Sequence, residues 1–353
     1  MDDERSPEVY TYFVPDYFPR FACKIGTCRS ACCSGWPVSI SRENYFRLLG
    51  VDCTADLRRR LDCSMRMADY PTPECYAHFE HRYDGDCALR MTDGRCAVHA
   101  ELGEDMLADV CRLYPRGVRR SECGEECSAA NSCEAVLEQL WEMSSPIAFA
   151  EVKLPLKPPV LPPLSPDLPP REERMMLIPH LQEEGISASA AIARIGESLG
   201  CEAILGNAAD FSTALDAAAT MLTHLGERNE TIGELAARAS VDIDYIERKQ
   251  AFLTRFPGWE SFVCRMLTNH LFFTQFPCSR KAVQRQAEFR ALCAIYGLVS
   301  YLAVECIGET GDRAELIDAC AALFRVVEHS NFTAAVNFFF RGKDFACKSM
   351  LLL

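Results

Sequence analysis

Through most of the chain beyond residue 171, apolar residues recur at three- and four-residue intervals, the period of a helix with one buried face. The pattern predicts helices over residues 187–199, closed by Gly200, and over 213–225, closed by Gly226. Further helices are expected over 261–273 and 282–304. Asp312-Arg313-Ala314-Glu315 has the form of a capping box, with Leu316, Ile317, Cys320, Leu323, Phe324 and Val327 following at helical spacing. Residues 134–143 predict a short helix with Val136, Leu137, Leu140 and Trp141 on one face. The longest uncharged apolar stretch, residues 291–304, lies between Arg290 and Glu305 and is too short to span a bilayer, so a buried helix is expected there. No succession of alternating segments marks a large sheet; a few short strands are expected only around residues 36–40.

Between these regions runs LPLKPPVLPPLSPDLPP, residues 154–170. Proline removes backbone donors and holds φ near the polyproline value, so the run is extended and semi-rigid. It fits either a spacer between domains or a strap on the surface, and the spacer is the expectation. The fold class that follows is mainly α. A cysteine-rich metal-binding domain of short irregular elements occupies residues 1–145, a proline-rich linker 146–170 and an all-helical domain 171–353.

Composition narrows the function. Hydrophobic residues at 49% and charged residues at 25% are ordinary for a folded soluble protein. A net charge of −13 argues against a nucleic-acid backbone binder, which needs a basic surface to displace counterions. The opening Met1-Asp2-Asp3-Glu4-Arg5 is acidic with no apolar core behind it, unlike a secretory signal. A cytoplasmic protein without a membrane partner is expected.

Twenty cysteines are the abnormal number. Those before residue 134 are Cys23, Cys28, Cys32, Cys33, Cys53, Cys63, Cys75, Cys87, Cys96, Cys111, Cys123, Cys127 and Cys133. Cysteines of an intracellular chain stay reduced unless they bind metal or do redox chemistry, so this front cluster reads as thiolate ligands rather than a disulfide scaffold. Cys201, Cys264, Cys293, Cys306 and Cys320 read as small apolar core residues. The strongest motif is Cys23-x4-Cys28-x3-Cys32-Cys33-Ser-Gly-Trp36, because soft anionic thiolates select zinc, copper(I) or iron–sulfur clusters. Gly26 and Gly35 permit a tight ligand loop.

Further ligands must come from later in the chain. Cys87 and Cys96 flank an Asp93-Gly94 turn signal able to bring their sulfurs together. Cys111 opens Cys-Arg-Leu-Tyr-Pro-Arg, and Cys133 sits in Asn-Ser-Cys-Glu. Cys123 and Cys127 are a lesser chelating pair, and Cys53, Cys63 and Cys75 read as incidental. His78, His81 and His99 fit solvated or outer positions better than ligation. Arg112 and Arg116, flanking Tyr114, fit either a surface role or the neutralisation of a thiolate centre or a bound carboxylate. No dinucleotide fingerprint, phosphate loop or serine nucleophile elbow occurs.

FACKIGTCRSACCSGWPVSIS resembles the opening of the flagellin lysine N-methylase family, in which a Cys-x3-Cys-Cys-x-Gly-Trp block follows an upstream cysteine. Cys87 and Cys96, the block ELGEDMLADVCRLYPR and Ser132-Cys133-Glu134 continue that pattern in order. Asn269-His270-Leu271 with Phe276-Pro277, and Phe324-Arg325-Val326-Val327-Glu328-His329, are similar to the family's C-terminal blocks. A broader group of iron- or zinc-chelating domains shares the cysteines alone. Three departures stand out: the spacing is not the Cys-x3-Cys-x2-Cys of ordinary radical enzymes using S-adenosylmethionine, Cys123 and Cys127 are extra, and Glu134 stands where the family has proline.

The resemblance implies an S-adenosylmethionine-dependent protein lysine N-methyltransferase that acts on flagellin with a 4Fe-4S cluster. It implies Cys28, Cys32, Cys33 and Cys111 as core ligands, with Cys23, Cys87, Cys96 and Cys133 as alternates or a second centre. Arg112, Tyr114 and Arg116 would then form the cofactor-binding group, an arginine holding the methionine carboxylate, and the helical domain would bind the protein substrate. The competing expectations are a zinc-binding structural or interaction protein, and an iron–sulfur electron carrier without methyltransferase activity.

Overall fold

Tyr10–Pro15 alternates its buried positions, Tyr12 and Val14, as a half-buried strand does. This strand is the key to the architecture. It pairs in parallel with Gly124–Ala129 and antiparallel with Phe149–Leu154, in a four-stranded sheet completed by Arg116–Ser121. The register puts Tyr12 opposite Val152 and Glu125. The computed structural model describes residues 8–29, 31–34, 38–201, 208–227, 229–239, 245–308 and 310–353. It is mainly helical, and it separates into two compact units: Ala22–Gly117, and Met1–Phe21 together with Val118–Leu353.

These units are drawn differently from the composition-based domains. The sheet explains why: the N-terminal strand and residues 118–154 complete one another's hydrogen bonding, so both belong to the body that carries the helices. The sheet itself escapes the periodicity because its strands are only six residues long and Arg116–Ser121 buries just Val118 and Ser121 firmly.

The proline-rich run is a strap and not a spacer. Tyr12 Oη donates to the Leu156 carbonyl at 2.5 Å, Arg280 N–H donates to the Asp167 carbonyl at 2.8 Å, and Lys281 Nζ lies 2.6 Å from Asp167. Leu156 and Leu161 pack on the core of the larger unit. Prolines cannot donate, but the carbonyls around them still accept, which is how the run is tied down.

The predicted helices form in that unit. Ala188–Ser198 is capped by the Ser187 hydroxyl, and Gly200 follows in the left-handed region at φ 69°. Ala208–Gly226 begins earlier than expected and includes Gly226, whose Cα side lies against Gly233 of Glu230–Ala237. Trp259–Thr274 is mostly buried, and Ala282–Tyr301 is buried from Glu288 onward apart from a half-buried Arg290, continuing as a buried π-helix over Leu302–Ile307. Ala282–Ile307 is long and apolar enough to cross a membrane, but 94% of its apolar window is buried inside the protein, as in a core helix. Arg313–His329 carries the complete capping box, Asp312 to Glu315 N–H and Glu315 back to Asp312 N–H.

The smaller unit has its own core of Val38, Ile40, Leu48, Leu57, Leu61, Phe79 and Leu89. A three-stranded antiparallel sheet orders Val38–Ile40, Ala77–Phe79 and Met65–Met67. Helices Arg42–Gly50, Ala55–Ser64, Ala97–Leu102 and Asp109–Leu113 surround it. The strand expected around residues 36–40 is present from Val38; Gly35 and Trp36 lie outside the described residues.

Candidate metal centre

The cysteine loop is shaped by two glycines far apart in the chain. Ile25 and Gly26 both have positive φ, 49° and 90°, and Thr27 N–H closes a turn on the Lys24 carbonyl at 3.2 Å. Gly94, at φ 86°, ends the turn predicted from Asp93-Gly94. A Cβ on Gly26 would come within 2.6 Å of the Gly94 carbonyl carbon, and a Cβ on Gly94 would overlap the Gly26 carbonyl oxygen. Only paired glycines allow this approach, and it lays the Cys23–Cys28 loop against the turn between Cys87 and Cys96.

Backbone bonds fasten the remaining cysteines. Cys87 N–H donates to the Cys33 carbonyl at 2.9 Å, Ser34 bridges Asp86, and Arg90 bridges Cys96 across the turn. Cys111 rides on Asp109–Leu113, whose first N–H donates to Asn44 Oδ1 at 2.7 Å, with Asn44 itself buried. Seven of the eight candidate cysteines, Cys23, Cys28, Cys32, Cys33, Cys87, Cys96 and Cys111, therefore fall in the smaller unit.

Their ionisations are linked. Cys32 hydrogen-bonds to Cys33, which raises the Cys32 pKa and lowers that of Cys33, with the Arg90 guanidinium also favouring the Cys33 thiolate. Burial pushes Cys87 up to about 12, aided by the charges of Cys33 and Cys96. Burial also raises Cys96 and Cys111, and Cys111 feels Cys96, Cys87 and Cys33. Cys32 is further raised by Cys111 and Cys23, and Cys28 bears on Arg90. Several thiolates cannot form together in such a place unless a cation compensates them, and a bound metal does so by deprotonating its ligands.

Polar groups around the thiols fit that demand. Ile25 N–H points at Cys23 Sγ, 3.4 Å away. Arg90 is held by Asp86 at 2.6 Å, and Asp86 also meets Arg82 at 3.1 Å. His81 bridges Cys87 through the backbone, and its buried Nε2 has no hydrogen-bond partner among the described residues. His78 faces Glu80 at 3.8 Å near the surface. Among the described residues no three His, Cys, Asp or Glu side chains close on one point as a single ion's ligands do.

Cys133 is placed in the larger unit, at the N-terminal cap of Glu134–Glu142, partly buried against that unit's core. Cys127 is buried in the same core and Cys123 is exposed, so the Cys123–Cys127 pair does not face one way. Cys63 and Cys75 are exposed. The later cysteines Cys201, Cys264, Cys293, Cys306 and Cys320 are buried as expected. Arg112 lies next to Cys111, its Nη2 3.9 Å from Asp109; Arg116 Nη1 donates to the Arg112 carbonyl at 3.4 Å, and Tyr114 N–H donates to the Val110 carbonyl at 3.0 Å.

A second polar cluster lies inside the larger unit, and it draws on the Ser132, Asn269-His270 and Glu328-His329 blocks that the resemblance picked out without assigning them a role. Tyr17 Oη donates to Asn269 Oδ1 at 2.6 Å, Asn269 donates to Asn131 and to the Ala129 carbonyl, and Asn131 donates to the Met266 carbonyl. Ser132 N–H meets Glu328 at 3.1 Å, Ser132 Oγ lies 2.8 Å from His329 Nε2, and His270 Nδ1 lies 3.3 Å from Glu328. Desolvation lowers the His329 pKa against the pull of Glu328. The signal in the sequence is polar residues interrupting apolar helical faces, at Asn269-His270 and Glu328-His329.

Comparison of the chain with family models, with curated proteins and with solved structures yields no match in any of the three.

Proposed function

We propose that the thiols of the Ala22–Gly117 unit hold an iron–sulfur cluster and that the protein is an S-adenosylmethionine-dependent lysine N-methyltransferase acting on flagellin. The observation that supports the metal half is that the paired glycines and the Cys33–Cys87 backbone bond hold the Cys23–Cys28 loop and Cys33 against the Cys87–Cys96 turn, where Cys32 and Cys33 share a hydrogen bond and Cys87 is buried. Iron–sulfur clusters are held by cysteine thiolates, and all seven candidate ligands of this unit are cysteines. Cys28, Cys32, Cys33 and Cys111 are the core of the proposed ligand set, with Cys23, Cys87 and Cys96 beside them.

When bound, the cluster supplies a reducing, electron-rich centre near the methyl donor. The chain's own groups do the rest. Ile25 N–H and Arg90 offset charge on the sulfurs, and Arg112, loosely engaged by Asp109, is free to take a carboxylate. The methyl-transfer half is supported by the ordered resemblance of the cysteine and helical blocks. A cytoplasmic location accords with thiols that must stay reduced. A second reading, a zinc-stapled module, is favoured by the small separate core around Leu48 and Leu57, which a metal would reinforce.

The test is protein purified without oxygen. Iron with acid-labile sulfide is expected, and it should fall sharply in Cys32→Ser and Cys33→Ser. With reductant and S-adenosylmethionine, intact mass spectrometry of the cognate flagellin should show added methyl groups. Zinc without iron would favour the stapled module; a loaded cluster with no methylation would leave an electron carrier.

A further inference from the structure

A cavity of about 80 Å³ in the larger unit is lined by His270, Thr274, Phe276, Glu288, Val327 and Phe332, among others. That is ample for more than one water-sized group. Its walls come from Trp259–Thr274, Ala282–Tyr301, Arg313–His329 and Phe332–Phe339.

Glu288 is 5% exposed. Its carboxylate accepts from Cys278 N–H at 2.9 Å, the Cys278 thiol at 3.2 Å and the Gln284 amide at 3.0 Å. All three donors are neutral, and among the described residues no cationic side chain pairs with Glu288. Two other buried glutamates of this unit are compensated, Glu126 by Arg174 and Glu305 by Arg248. A buried carboxylate without a counter-charge is unfavourable, so Glu288 leaves one positive charge wanting at the cavity wall. Burial and the Glu288 charge push the Cys278 thiol up to about 12, which keeps it a neutral donor and no substitute cation.

The remaining walls say what kind of cation fits. Thr274 Oγ1 donates to the His270 carbonyl at 2.7 Å and keeps its own oxygen as an acceptor. Phe276, Phe332, Leu292, Ile295 and Val327 supply its apolar lining. Acceptors at one end and hydrocarbon around them suit an ammonium head on an aliphatic stem.

We propose that this cavity binds a primary alkylammonium group, with Glu288 as its counter-charge. Resting on the methyltransferase reading, the group is the side chain of the acceptor lysine.

Titration of the full chain with n-butylammonium at neutral pH, against n-butanol as its uncharged analogue, tests the site without donor or cluster. Binding of the ammonium alone is expected, weakened at least tenfold in Glu288→Gln, with thermal stability kept or raised because a lone buried charge is gone. Val327→Trp, which fills the cavity, should also abolish it. Equal binding of amine and alcohol, no binding by folded wild type, or binding indifferent to Glu288→Gln would overturn the proposal. Amine binding without any methyl transfer would count against the methyltransferase reading and leave the site standing. Methylation by a protein that binds no amine would sink the site alone.

Discussion

Charge compensation in the interior is decided residue by residue. Arg174 and Glu126 lie 2.6 Å apart with side chains 2% and 1% exposed, and Gln275 donates to the other Glu126 oxygen at 2.7 Å. Removing one partner of a buried pair leaves the other charge stranded, whereas replacing both by apolar groups is often neutral. Arg174→Met should therefore destabilise the protein by about 3–5 kcal/mol, measured by urea unfolding. Glu126→Leu combined with Arg174→Met should recover most of that loss. A double variant no more stable than the single would show that Gln275 and the strap, not charge, account for the effect. The pair was illegible in the sequence, since neither residue belongs to a motif and the ion pair joins a strand to a five-residue helix.

At the scale of elements, the Gly26–Gly94 contact links the two halves of the thiol group. Gly94→Ala places a Cβ against the Gly26 carbonyl and demands a left-handed backbone of an L side chain. Metal bound per chain should fall by more than half, while the larger unit's unfolding transition stays where it was. Full loading in Gly94→Ala would show that the loop can shift without loss of the site. The Asp93-Gly94 turn and the capping box at Asp312 were readable, because each rests on residues a few positions apart. The glycine contact and the four-stranded sheet were not. Both depend on pairing across long stretches of chain, and Tyr10–Pro15 finds its partners only beyond the whole smaller unit. The same limit turned the proline run into an expected spacer, because its carbonyl partners Tyr12 and Arg280 lie far away in sequence.

For the whole molecule, the two units have unequal reserves. The larger core extends from Tyr12 to Leu353, while the smaller rests on a short list of residues around Leu48, Leu57 and Leu61. Binding free energy of a metal is folding free energy for so small a body. Chelation should speed amide hydrogen exchange throughout residues 38–111 and leave Trp259–Thr274 and Ala282–Tyr301 protected. Uniform loss of protection in both would mean that they unfold as one. The sequence groups the candidate cysteines by spacing alone, and their division between the two units is not legible there: Cys133 resembles its companions in spacing and belongs to the other unit.

The N-terminal strand carries a consequence for biosynthesis. Tyr10–Pro15 is made before the Ala22–Gly117 unit, yet the strands on either side of it, Gly124–Ala129 and Phe149–Leu154, are made only after that unit. A chain emerging N-terminus first thus presents the cysteines of residues 22–117 while the larger body still lacks its sheet. On the proposed function, nascent Ala22–Gly117 would be open to a metal during that interval. The four-stranded sheet is completed only when its last strand, Phe149–Leu154, has been made, so the order of synthesis sets an order of folding within the larger unit.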